Sequence, residues 1–386
     1  MERFRSGRVV GLAALIAAGS IALAACGSDS GGSGDGSTSA LADTTSTSAT
    51  AGGGNAPNGS AACATGKLTA DGSTAQQNAV NAWIKAYSGQ CSGVQIVYGG
   101  VGSGQGITDF TTGKVDFAGS DAALDPTQGQ MTAATNECGS PALDIPMVTG
   151  PVAVAYHVKG VNDLTLTPSV MAKVFTGKIK TWNDPAIKAL NKGVNLPSAN
   201  ITVFFRSDES GTTQNFETYL NSAAPKDYSA TPSKDWSGTG QGKTGSQGVQ
   251  AAIKSTENSI GYLEWSYAGS AGLSMAKVDN GGGPVALTAA SAGKAVAAAK
   301  IASQGGNDLT LKLDYATKTP GAYPIILVTY EIVCAKYKDA SVGKNVKAFL
   351  AYTSSGAGQK LLPSVGSAPL PTAILAKVQS VVSKIS

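Results

Sequence analysis

Three short stretches place small residues and hydroxyls where helices can begin: Gly72-Ser73-Thr74, Gly102-Ser103-Gly104 and Ser210-Gly211-Thr212. The first turn of a helix carries unpaired N–H groups and a partial positive charge, so it can receive a tetrahedral oxyanion. Glycine lets the backbone approach such a guest, and Ser and Thr add hydroxyl donors. Taken one at a time, each stretch reads more simply as an ordinary Ser/Thr helix cap. The Gly-rich run at 99–106 lacks the Lys-Ser/Thr pair of an NTPase phosphate loop and has no acidic residue evidently placed for a ribose.

Charged residues sharpen the reading. Arg206 follows the apolar Val203-Phe204-Phe205 and precedes Ser210 by four residues, which puts a bidentate donor at a strand end beside a helix mouth. Asp208 is close enough in sequence to pair with Arg206 and hold its fork. Asp121 would repel a fully ionised guest. It suits an oxyanion that still carries a proton near neutral pH, as phosphate does, because a carboxylate accepts that proton's hydrogen bond; sulfate has none to offer. The plainer alternative for Asp121 is a surface helix cap near Ala122-Ala123-Leu124.

Other chemistries find less support. His157 is the only histidine, the cysteines are too widely spaced for a compact zinc pattern, and no dense carboxylate cluster is visible, so neither a metal site nor a hydrolase centre is expected. A formal charge of +4 falls to +2 if Glu2, Arg3, Arg5 and Arg8 are removed with a leader, which is no nucleic-acid footprint. Specificity for an anion must then come from local geometry.

The elements that would position these groups alternate strand and helix. Short strands are expected at Lys67–Ala70, Val94–Tyr98 and Val115–Ala118, the last ending at Asp121. Between the first two, Val80, Trp83, Ile84 and Tyr87 recur at helical steps, and a second helix is expected through Ile107 and Phe110. This is the grammar of a parallel sheet covered by helices, with polar residues in loops after the strands. Met147–Val158 and Tyr323–Cys334 read as crossings. Between them lies a second α/β unit, with strand Ile201–Phe205 and a helix carrying Phe216, Tyr219 and Leu220; C-terminal helices around Phe349 and Val378 return to the first. The expected fold is α/β with two hinge-linked lobes, 63–155 plus 325–386 and 156–324, and a ligand cleft between them.

The leader has a basic start, an apolar run from Val9 to Ala25 and Leu23-Ala24-Ala25 before Cys26. It reads as a lipoprotein signal peptide over 1–25, with Cys26 the acylated first mature residue. Residues 26–62 then form a flexible tether, since Gly, Ser, Thr and Ala without aromatic residues cannot bury a core. Cys63, Cys91, Cys138 and Cys334 remain, an even number that suggests two disulfides in an exported chain. Three pairings are possible. Cys63–Cys91 is preferred because both precede strands that would be parallel neighbours, leaving Cys138–Cys334.

The chain resembles the phosphate-binding subunit of the bacterial high-affinity phosphate ABC importer. The similarity rests on Leu68-Thr69-Ala70-Asp71-Gly72-Ser73-Thr74, Tyr98-Gly99-Gly100-Val101-Gly102-Ser103, Val115-Asp116-Phe117-Ala118-Gly119-Ser120-Asp121, Phe175-Thr176-Gly177-Lys178-Ile179 with Trp182-Asn183-Asp184-Pro185, Arg206-Ser207-Asp208-Glu209-Ser210-Gly211-Thr212, and Ile260-Gly261-Tyr262-Leu263-Glu264. These occur in family order over nearly all of the chain after Cys63. The resemblance implies a dehydrated phosphate held by hydrogen bonds from Thr74, the Ala75 amide, Ser103, Asp121, Arg206, Ser210, the Gly211 amide and Thr212, with Asp208 orienting Arg206. Ala75 stands where the family commonly has Phe, and Gly104-Gln105 where relatives often have Ser-Gly, so a hydroxyl is lost or replaced by Gln105. The implied protein is a non-enzymatic, monomeric binding body without a cofactor. It would be lipid-anchored on the extracytoplasmic face of the cell membrane and would deliver phosphate to membrane-embedded permease subunits. A binding protein for another tetrahedral oxyanion such as sulfate is the alternative.

Overall fold

The computed structural model describes residues 63–302 and 306–386. The leader, Cys26 and the tether through Ala62 lie outside the described residues.

Nine strands form one mixed sheet. They are β1 (Gly66–Gly72), β2 (Val94–Gly100), β3 (Phe117–Ser120), β4 (Ala142–His157), β5 (Thr202–Arg206), β6 (Gln241–Lys243), β7 (Ser259–Glu264), β8 (Ser274–Met275) and β9 (Ile326–Cys334). Their order is β2-β1-β3-β9-β4-β7-β5-β6, with β8 paired to β4. The two ends of the sheet have the same construction. β1 pairs parallel with β2 and β3, and β5 pairs parallel with β6 and β7. Helices α1 (Gln77–Gln90) and α2 (Ser103–Thr111) connect the first three strands, and α3 (Gly211–Ala223) and α4 (Gly245–Ser255) connect β5, β6 and β7. Parallel neighbours need such crossovers, and helices on the sheet faces bury the strands they cover.

The two parallel ends are joined by β4 and β9, antiparallel to each other. β4 pairs with β9 from Ala142 to Pro151, then with β7 from Val152 to His157. At the changeover the Val152 N–H donates to the Ile325 carbonyl at 2.8 Å, so both chain crossings lie side by side. Every β4 residue from Ala142 to Tyr156 is buried. That explains an apolar run with no alternation, and why the strand starts five residues before Met147. The β9–β4 register breaks between Thr329 and Tyr330, where β4 carries an extra residue. β3 begins at Phe117, two residues later than its apolar pattern suggests. The Asp116 carboxylate accepts from the Thr69 N–H at 2.7 Å, replacing a ladder partner there.

Buried apolar side chains fall into two clusters. One surrounds Trp83, Tyr87, Phe117, Phe349 and Val378; the other surrounds Tyr156, Phe175, Trp182, Phe216 and Tyr262. In the first, Tyr87 meets Phe349 edge-on at 5.5 Å, and the Trp83 indole donates to the Gly358 carbonyl at 2.8 Å. In the second, Phe216 stacks on Tyr262 at 4.6 Å. Burying one such ring stabilises the fold by about 1.5–3 kcal/mol relative to leaving it exposed. Both expected disulfides are present. Cys63–Cys91 ties the entry to β1 to the entry to β2, and Cys138–Cys334 ties the end of helix Gln130–Cys138 to the end of β9.

Candidate functional site

Each parallel end of the sheet delivers its loops to one place. β1 ends at Gly72, whose φ of +149° and contact with Gly119 leave no room for a side chain: a Cβ would lie 2.0 Å from the Gly119 carbonyl oxygen. The chain then turns through Ser73-Thr74-Ala75 before α1 begins at Gln77. These residues therefore form a turn ahead of the helix, not its first residues. The turn is held from outside. Ser73 N–H donates to the Gly119 carbonyl, the Tyr98 hydroxyl to the Ser73 carbonyl, and the Tyr267 hydroxyl to the Thr74 carbonyl, each at 2.8 Å. The buried Ala75 amide donates to Ser73 Oγ at 3.0 Å.

After β2, the Val101 and Gly102 N–H groups donate to the Gly72 carbonyl, fixing the second loop on the first. Ser103 is the first residue of α2 and is buried; its hydroxyl oxygen accepts from the Asp121 N–H at 3.2 Å. Gln105 faces away. It is exposed and donates to Asp109 on its own helix, so it replaces no donor in the site.

Asp121 directly follows β3, and no helix starts there, which removes the surface-cap reading. It is 3 % exposed. Its Oδ1 accepts from the Thr329 hydroxyl at 2.8 Å and its Oδ2 from the Thr212 hydroxyl at 3.0 Å. Burial pushes this carboxyl up from the ordinary range, against hydrogen bonds from Ser73, Thr329 and Thr212 and the charge of Arg206.

β5 ends in Arg206, 2 % exposed. Its Nε donates to Asp208 Oδ1 at 2.8 Å and its Nη2 to Asp208 Oδ2, a bidentate pair. Asp208 also accepts from the Gly245 N–H at 2.9 Å. Burial alone would raise its pKa; Arg206 and these amides outweigh that and hold it below the usual carboxylate range. Ser210 caps α3, accepting from the Thr213 N–H, and Gly211 and Thr212 form the first turn. A Cβ on Gly211 would sit 2.7 Å from Asp121 Cβ and 2.8 Å from Ser103 Oγ, so the two ends of the sheet meet there with no space for a methyl group.

Thr74, Ala75, Ser103, Asp121, Arg206, Asp208, Ser210, Gly211 and Thr212 are thus brought into one buried cluster. It contains one guanidinium and two carboxylates, surrounded by hydroxyls and helix-terminal amides. Such a set offers many donors and a buried acceptor, and suits an anion that retains a proton. A cavity of about 640 Å³ between α1, Trp265 and Pro363–Gly366 lies elsewhere; its lining has one cation, Lys85, and no comparable convergence of donors.

Several members were not singled out from the sequence. The hydroxyls of Ser246 and Thr74 share a hydrogen bond at 2.9 Å, and the Ser246 N–H donates to Thr74 Oγ1 at 3.1 Å. Thr244-Gly245-Ser246 has the same small-and-hydroxyl form before a helix as the other loops, and that was the available signal. Thr329, Tyr98 and Tyr267 carried no such signal; strand pairing and helix packing bring them in.

A profile of the PBP superfamily domain matches residues 42–356. The chain is 44% identical over 392 residues to phosphate-binding protein PstS 2 of Mycobacterium tuberculosis, covering all of both chains. It belongs to the PstS phosphate-binding proteins of the PBP superfamily. Phosphate-binding protein PstS3 of Mycobacterium bovis is 42% identical over 396 residues, again with both chains fully covered. The phosphate-binding protein of Stenotrophomonas maltophilia has a similar fold, with a TM-score of 0.63 at 20% identity over 82% of this chain and 93% of that one. The mixed sheet with helices on its faces is therefore the fold of this family.

Proposed function

We propose that this protein captures inorganic phosphate outside the cytoplasm and hands it to the permease subunits of an ABC importer. Binding rather than catalysis is its task. The observation that carries this reading is Asp121: a buried carboxylate held by hydroxyls from both ends of the sheet, in one cluster with Arg206. A buried acceptor among so many donors favours a guest that brings a proton of its own, and this selects phosphate over sulfate. The relatives, named phosphate-binding proteins and 42–44% identical over whole chains, support the same guest.

The ligands are Thr74, the Ala75 amide, Ser103, Asp121, Arg206, Ser210, the Gly211 amide and Thr212, with Asp208 orienting Arg206. The lobes are 63–155 plus 325–386 and 156–324, hinged where β4 passes beside Ile325. The two buried clusters on either side of that crossing support the division. Acylation at Cys26 anchors a monomeric body through the 26–62 tether, which leaves it free to reorient between capture and delivery. Isothermal titration of the purified protein tests the central claim. Phosphate is expected to bind and sulfate to give no comparable heat; equal binding of sulfate, or no binding of phosphate, would overturn it.

A further inference from the structure

Beneath the Ser73–Ala75 turn lies a carboxyl that the capture of phosphate described above does not use. Glu331 is 2 % exposed, in the middle of β9. It is two residues beyond Thr329, which donates to Asp121, so both side chains project from the same face of the strand. Across the sheet its partner on β3 is Gly119. A Cβ on Gly119 would fall 1.9 Å from Gln76 Nε2 and 2.6 Å from the Tyr98 hydroxyl, so those two groups cover Gly119 on the side-chain face it shares with Glu331. The Gln76 amide lies within hydrogen-bonding reach of the Glu331 carboxyl, and its Nε2 also donates to the Tyr98 hydroxyl at 3.1 Å. Tyr98 in turn donates to the Ser73 carbonyl. Glu331 is thus linked through Gln76 and Tyr98 to the backbone of the anion-receiving turn.

Five buried side-chain oxygens among the described residues have no hydrogen-bond partner, and two of them, Gln76 Oε1 and Glu331 Oε2, belong to this one linked group. One proton settles both. A carboxylic acid O–H on Glu331 can donate to the Gln76 oxygen while the Gln76 N–H donates back, the reciprocal pairing of an acid with an amide. We propose that Glu331 is a positioning residue of the phosphate site that carries a proton whenever the anion is held, the acid–amide pair with Gln76 fixing the turn that presents the Ser73–Ala75 groups. At neutral pH that proton is already in place; at alkaline pH it comes from solvent, converting the carboxylate to its acid as phosphate enters. The surroundings agree. Burial, then the charge of Asp121, push the Glu331 carboxyl up to about 8, against the Gln76 hydrogen bond. Tyr98, itself pushed well up by burial and by Glu331, stays neutral, and β4 presents the apolar Ile145 opposite. Beyond Asp121 stand Arg206 and the buried Glu264, which burial raises well above its ordinary range; among the described residues no cation acts on Glu331 itself. An ionised Glu331 would add a negative charge beside the guest.

The inference rests on phosphate being the guest, and the experiment separates the two. Phosphate affinity is measured for the wild-type protein and Glu331→Gln from neutral to alkaline pH. The glutamine keeps a permanently neutral reciprocal amide pair. Equal affinities are expected at neutral pH, with wild type losing up to tenfold relative to E331Q per pH unit once Glu331 ionises. Phosphate speciation and Asp121 affect both proteins, so a wild-type to E331Q ratio that stays constant with pH overturns the proposal. Absence of phosphate binding by wild type at neutral pH overturns the functional reading instead. Should E331Q fail to fold, infrared titration of wild type labelled only at glutamate decides. Of the acid bands of the buried Glu331 and Glu264, one should fade near pH 8 in the free protein and return on adding phosphate; if no band responds to phosphate, the inference is refuted.

Discussion

The Thr212 hydroxyl, in the first turn of α3, donates to Asp121 Oδ2 at 3.0 Å, so a residue from one end of the sheet closes on a carboxylate from the other. The other carboxylate oxygen is held by Thr329 on β9, and the Asp121 carbonyl accepts from the Asn215 amide at 2.7 Å. A carboxylate fixed in this way cannot swing aside to admit a fully ionised guest.

Attraction and selection should therefore separate by mutation. Arg206→Ala is expected to weaken phosphate and arsenate together, because it removes a charge-assisted contact and frees Asp208. Asp121→Asn keeps the volume but removes the repulsion and turns one acceptor into a donor. A lost charge-assisted hydrogen bond of about 1.5–3 kcal/mol is partly offset for phosphate by that relief, whereas sulfate only gains. The sulfate-to-phosphate affinity ratio, measured by titration at one pH and salt concentration, should rise in D121N. A fixed ratio would mean that Asp121 does not read the proton.

Ser246, in the first turn of α4, joins one end of the sheet to Thr74 of the other. Ser246→Ala should weaken phosphate binding by about 1 kcal/mol, roughly fivefold, with the melting temperature nearly unchanged. Calorimetry and a thermal melt check this pair of outcomes. Unchanged affinity would leave the Thr74–Ser246 contact without a part in closure.

Because the proposed ligand groups come from both ends of the sheet, phosphate should favour the closed arrangement. Small-angle scattering of the phosphate-stripped protein is expected to show compaction on adding phosphate. An unchanged profile, with binding verified in the same sample, would count against hinge closure at β4 and β9.

Asp208 gives a signature in acid. Its carboxyl is held below the ordinary range in the folded chain, so the stability it contributes is present above its unfolded pKa and lost as pH falls through the folded value. The stability advantage of wild type over Asp208→Asn should shrink between about pH 5 and pH 2, as followed by urea denaturation. A constant difference across that window would show that the Arg206–Asp208 pair is not the cause.

Non-reducing peptide mapping should recover Cys63 with Cys91 and Cys138 with Cys334. Replacing both Cys138 and Cys334 by Ser is expected to cost about 2–5 kcal/mol, since that bridge closes a span of 196 residues. A change under 1 kcal/mol in denaturant titration would show that the unfolded chain gains little freedom from losing it.

Local chemistry was enough to find most of this protein. Strand and helix periods, Gly72 beside hydroxyls, Arg206 after an apolar strand with Asp208 two residues on, and Asp121 after β3 are all short-range patterns. They reflect forces that act within one turn or one strand. The first disulfide was legible for the same reason, because Cys63 and Cys91 enter neighbouring parallel strands. What only the tertiary structure decided comes from residues far apart in the chain. Ser246 lies 172 residues from Thr74 and Thr329 lies 208 from Asp121, and no local periodicity encodes such partners. Gln105 shows the converse: it sits within the glycine-rich loop, yet its position on α2 turns it toward Asp109 and solvent. The sequence by itself set which chemical groups stand at the strand ends; the order of strands across the sheet decided which of them meet, because that order, not distance along the chain, determines which loops share one edge.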